Sequence, residues 1–187
     1  MTTIVICGLL TASAWAQGAA AKPAQAAAPD AAQGAAVLKR LVGTWRAPEE
    51  RTPRTSDLDE QVFGRGAMDV RTVSLTISPS GDGDLQVHRS VVGTKGKVFA
   101  PSIMDVKMHI GEPVTARLGH LEPTVTVKSA EERYLDGDHE KWPRDGSRVS
   151  LSVPDAQAKE LNMQLDTPDG RGAFGVTLTE ASARKSH

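Results

Sequence analysis

Two arginines are placed to do chemistry. If Ile77 faces inward from an extended strand, alternation carries Arg71 to the same face, because side chains repeat every second residue. Leu85 and Val87 carry Arg89 inward on the next segment, and the turn-rich stretch Ser78-Pro79-Ser80-Gly81-Asp82-Gly83 makes the two arginines near neighbours. Guanidinium groups in an enclosed, low-dielectric space need an anion, and a carboxylate can meet each of them in a bidentate fork. The chemistry is then capture of a small apolar molecule that carries a carboxylate, such as a fatty acid. The competing reading is that a β-bulge near Arg71, or a strand end at Arg89, returns both to solvent, where Asp69 or Asp84 pairs with them.

Other residue types add to this or fall away. Met104, Met108 and Met163 lie on inner faces by the same parity. Flexible thioethers could line a cavity for varied apolar guests, or simply fill a core. Asp136-Gly137-Asp138-His139-Glu140 concentrates oxygen ligands, yet lacks the ordered register of an EF-hand loop and reads first as a solvated turn. His88, His109, His120 and His139 have no recognisable triad partners, and neither a nucleophile elbow nor a phosphate-binding loop is present. No metal, cofactor or catalytic residue is assigned.

The elements that must position the arginines are written in period two. Val73, Leu75 and Ile77 share a face, as do Leu85, Val87 and Val91; Met104, Val106, Met108 and Ile110 stand opposite Asp105, Lys107 and His109. Val125 and Val127, then Val149, Leu151 and Val153, then Leu161, Met163 and Leu165, then Phe174, Val176 and Leu178 continue the pattern. With a strand from Thr44, this makes about eight strands. Gly93-Thr94-Lys95-Gly96, Gly111-Glu112-Pro113 and Thr167-Pro168-Asp169-Gly170 supply further turns. Short connections without crossover helices predict an all-β, antiparallel up-and-down meander, closed as a barrel in preference to stacked as a sandwich. Val37, Leu38 and Leu41 have helical spacing, so Ala35 to Leu41 forms a short N-terminal helix that plugs one end. Ser129 to Leu135 is open between a helical lid, from the capping pattern Ser129-Ala130-Glu131-Glu132, and extended strand.

Gly43-Thr44-Trp45, after that helix and at the start of the first strand, resembles the G-x-W motif of lipocalins and the wider calycin barrels. The resemblance covers this motif and the strand rhythm from Val37 to Glu180. It implies that Trp45 packs across the closed end of a barrel, that Gly43 lets the chain turn sharply beneath it, and that Arg171 or Arg184 stacks on the ring. The nitrobindin-type haem barrel also begins with G-x-W, but its Gly-rich extension is replaced here by Ala47-Pro48-Glu49 and the final strands hold no histidine, so haem is not expected.

Bulk properties set the compartment and exclude partners. The 187 residues carry 22 Lys and Arg against 23 Asp and Glu, which leaves no net field for a polyanion. Aromatic residues make up 4%, too few for base-stacking platforms. The apolar run Ile4 to Leu10, followed by Ala14-Trp15-Ala16, reads as a signal peptide over residues 1–16, too short to span a bilayer. The single cysteine, Cys7, lies within it, so the mature chain has no thiol, as suits an oxidising compartment. Residues 17–36 are an Ala/Pro-rich spacer broken by Pro23 and Pro29, expected to be disordered; 37–180 form the barrel domain and 181–187 a tail. The expectation is an exported, periplasmic or secreted carrier of a small hydrophobic ligand. The alternative is a filled β-domain that contacts another protein of the envelope, as an inhibitor or assembly module, through an apolar surface near Trp142.

Overall fold

The structure, a computed structural model, describes residues 31–135, 141–154, 159–170 and 173–181. In chain order these form α1 (Ala31–Leu41), β1 (Gly43–Arg46), β2 (Glu50–Pro53), α2 (Asp57–Phe63), β3 (Met68–Ile77), β4 (Asp82–Val92), β5 (Val98–Arg117), β6 (His120–Tyr134), β7 (Lys141–Pro143), β8 (Arg148–Ser152), β9 (Glu160–Asp166) and β10 (Phe174–Glu180). The strands make one antiparallel sheet in the order β7, β6, β5, β4, β3, β1, β10, β9, β8, with β2 paired to β3 beyond the end of β1. Strands β3 to β7 and β8 to β10 neighbour one another in sequence order, β7 and β8 stand at opposite edges, and the first strand meets the last through Trp45 opposite Glu180.

Alternation explains the core. Val73, Leu75, Ile77, Leu85, Val87, Met104, Val106, Met108, Leu161, Leu165 and Leu178 all point to one face and are buried. Burying each such side chain contributes about 2 kcal/mol, so a one-residue slip of any of these strands would forfeit several at once. The β3–β4 turn is held by Ser78, whose hydroxyl accepts a hydrogen bond from the Asp82 amide at 3.1 Å. Gly81 sits there at φ +83°, where an added Cβ would lie 2.4 Å from the Ile110 carbonyl oxygen.

The sheet does not close through continuous hydrogen bonds. Between β6 and the residue that follows β8, the described backbone pairing is a single bridge: the Leu121 amide donates to Val153 at 2.8 Å and the Val153 amide to Leu121 at 2.9 Å. Beyond it, Val125 to Val127 of β6 and Arg148 to Ser150 of β8 flank a cleft of about 570 Å³.

One end is covered by α1, whose Gly34, Val37 and Leu41 are buried. A Cβ at Gly34 would rest 3.7 Å from Val114 of β5, an ordinary van der Waals contact. The chain leaves the helix through Gly43 at φ +141°, a conformation that disfavours any residue with a side chain. Trp45 is 2% exposed, and its indole Nε1 donates to the Leu41 carbonyl at 2.8 Å. That bond satisfies one of the carbonyls left over at the end of α1. Trp45→Phe loses it and leaves a small void, so we expect about 2 kcal/mol of destabilisation in urea unfolding. An unchanged midpoint would mean that the tryptophan does not tie the helix to the sheet.

Several local expectations differ from the structure. The helix starts at Ala31, inside the stretch assigned to the spacer, because its alanines are strong helix formers once Gly34 gives the segment a surface to pack against. Gly111-Glu112-Pro113 does not end a strand: β5 runs through it with a shift of register between Gly111 and Val114. Ser129 to Tyr134 is extended, paired with β5 on one side and in part with β7 on the other. The helix α2 has no counterpart in the period-two reading, and its signal is the N-cap Ser56, whose hydroxyl accepts from the Asp59 amide at 3.1 Å.

Candidate functional site

At the end of the sheet remote from α1, the inner face changes character. Glu50 of β2 pairs in register with Arg71 of β3, Arg71 with Arg89 of β4, Arg89 with Ser102 of β5, and Ser102 with Tyr134 of β6. One cross-strand row therefore carries two guanidinium groups, a carboxylate and two hydroxyls. The row nearer α1 is Val73, Val87 and Met104, all buried. Above it opens a pocket of about 720 Å³, lined by the whole polar row together with Glu132, Asp69 and Phe174.

The arginines converge on one aromatic ring. Arg71 Cζ lies 3.9 Å from the centroid of Phe174, and Arg89 Cζ lies 5.7 Å from it. Each is within the range of attraction between a cation and the face of an aromatic ring. Arg71 donates from Nε to Glu50 Oε2 at 3.1 Å, and its Nη2 reaches the same oxygen. Burial lowers the pKa of Arg89 below the ordinary arginine value; the Glu132 carboxylate opposes that shift, while Arg71 and Arg144 reinforce it. Arginine remains charged throughout, and the lining sets the cations Arg54, Arg71 and Arg89 against the carboxylates Glu50, Asp69 and Glu132.

A second group fixes the wall. Glu132 is 3% exposed, accepts from Ser102 Oγ at 3.1 Å on one oxygen, and accepts from Arg144 Nε at 3.0 Å on the other. Arg144 comes from the β7–β8 turn, and its Nη1 continues to Asp169 in the β9–β10 turn at 3.0 Å. Its pKa is raised, chiefly by the hydrogen bond to Glu132. At the rim, Arg54 donates to Asp69 at 2.9 Å and to Asp59 of α2 at 2.7 Å, while Phe63 packs edge-on against Phe99 at 5.3 Å. These contacts anchor α2, which has no buried residue of its own.

The residues singled out from the sequence divide between two places. Arg71 and Arg89 meet in the pocket; the partner of Arg71 is Glu50, whereas Asp69 is bonded to Arg54 and Asp84 to Lys107. Met104, Met108 and Met163 belong to the buried core cluster and do not line this pocket. Gly43 and Trp45 lie at the α1 end. Arg171, Arg184 and Asp136 to Glu140 lie outside the described residues. Glu132, Ser102, Arg144 and Glu50 were not found as site residues. Parity from Met104 could have placed Ser102 on the inner face, but no spacing rule reaches Arg144 in its turn.

Among the described residues, no group of three or more His, Cys, Asp or Glu side chains could hold a metal ion. No helix among them is long and apolar enough to cross a membrane. Compared with protein-family models, curated proteins and solved structures, the chain matches none.

Proposed function

We propose that this is an exported, lipocalin-like barrel protein that binds a small amphipathic molecule through its carboxylate. The observation that carries the reading is the convergence of Arg71 and Arg89 on Phe174 inside a pocket of about 720 Å³. Such a pocket is of the size that holds small ligands. The barrel reading draws support from the up-and-down strand order, the junction of β1 with β10, and the bridge between Leu121 and Val153. The carrier occupies its pocket reversibly, with the carboxylate on the two guanidinium groups and the apolar part against Val91, Ala100 and Ala173.

Native mass spectrometry of the exported protein, with titration of a fluorescent fatty acid and of octanoate, tests this. A copurifying acid or saturable uptake is the expected result; absence of both removes the proposal. Export itself rests on the leader, and N-terminal sequencing of the mature protein should begin at Gln17. An intact Met1 would overturn that compartment.

The alternative, contact with another envelope protein, is favoured by Trp142 on edge strand β7. It is 52% exposed, and Tyr134 and Leu135 are each 38% exposed at the end of the adjoining strand.

A further inference from the structure

We infer that Glu50 is a resident counter-carboxylate, displaced from Arg71 when the ligand binds, and that it thereby sets how strongly the pocket selects acids. The inference rests on the carboxylate-binding reading above. Every residue of β2 is exposed, and among the described residues its only partner strand is β3. Strand β10 pairs with β1 only at Trp45 and Arg46, so opposite β2 its start is laddered to no described strand on that side. The pocket lies in this gap, with Glu50 and Thr52 on one wall and Ala173, Phe174 and Gly175 on the other.

Glu50 thus stands at the rim with its carboxylate across the guanidinium that a ligand would need. Two of the Arg71 nitrogens, Nε and Nη2, converge on one oxygen, Oε2, which is poorer than the two parallel bonds a carboxylate can make in fork geometry. The Glu50 side chain is 49% exposed against 22% for Arg71. Glu50 therefore returns to water with little loss on displacement, and ion pairs of this exposure are weak. Arg71 keeps an anion in either state, so its charge is never left unmatched. An incoming acid must outbid Glu50, whereas an alcohol has no need of the guanidinium and leaves the pair intact.

Isothermal titration of octanoate and of 1-octanol against the wild type and Glu50→Gln tests this, with thermal unfolding to show that the variant is folded. Glu50→Gln should bind octanoate about fivefold more tightly, the scale of one exposed ion pair, and 1-octanol with unchanged affinity. If the wild type takes octanoate and Glu50→Gln takes it no better, the role of Glu50 is wrong and the ligand reading stands. Should the variant gain equally for the acid and the alcohol, Glu50 acts as a steric plug and the inference also falls. If neither protein takes octanoate, both readings fall together.

Discussion

Arg144→Met should lower the stability of the protein by about 3 kcal/mol in urea unfolding, the scale seen when one partner of a buried ion pair is removed. The carboxylate of Glu132 is almost wholly out of water, and Arg144 supplies its only described cationic hydrogen bond donors. Removing the guanidinium leaves the carboxylate with the Ser102 hydroxyl and the charge of Arg89 across the pocket. It also severs the link to Asp169, which joins the turn before β8 to the turn before β10. The double variant Glu132→Gln with Arg144→Met should recover part of the loss, because the buried carboxylate then needs no partner, while Arg89 gives up an attractive charge. If the single variant loses less than about 1 kcal/mol, the pair behaves as a surface contact and does not hold the wall of the pocket.

The second large effect is on binding. Arg89→Ala should weaken octanoate about thirtyfold, corresponding to the roughly 2 kcal/mol of a hydrogen bond to a charged group, while 1-octanol changes less than about threefold. Arg71→Ala should act in the same direction but less strongly, since in the wild type part of its gain is spent in releasing Glu50. Arg89 is the more decisive because burial disfavours its charge by more than the Glu132 carboxylate offsets, with Arg71 and Arg144 adding to the burial. Titration calorimetry on folded variants decides the matter. Equal losses for the acid and the alcohol would show that the arginines shape the pocket without recognising charge.

Period-two alternation made the strands legible because their inner faces are apolar and their outer faces polar, as in β3, where Val73, Leu75 and Ile77 alternate with Ser74 and Thr76. The same parity located the arginines, and it did so because the pairing of β3 with β4 is unbroken from Met68 to Ile77. The first irregularity on the far side of β4 falls between Arg89 and Val91, one step too late to turn Arg89 outward. The sequence was silent where position depends on the third dimension. Arg144 lies in a turn, so no repeat assigns it a face, and it reaches Glu132 only because β7 folds back along β6. Glu132 itself looked like part of a local capping pattern, a signal that strand pairing overrides here. Gly111 to Pro113 carried turn chemistry that β5 absorbed as an irregularity of register.

The buried tier formed by Val73, Val87 and Met104 has a consequence for what can enter. It lies directly below the arginine row and is filled by its own side chains. A guest whose carboxylate sits on Arg71 and Arg89 has already touched bottom, and every further carbon has to run back toward the opening. On the proposed binding mode three side chains thus set the depth: a short acid would fit whole, and a longer one would leave its tail protruding, within reach of a second molecule.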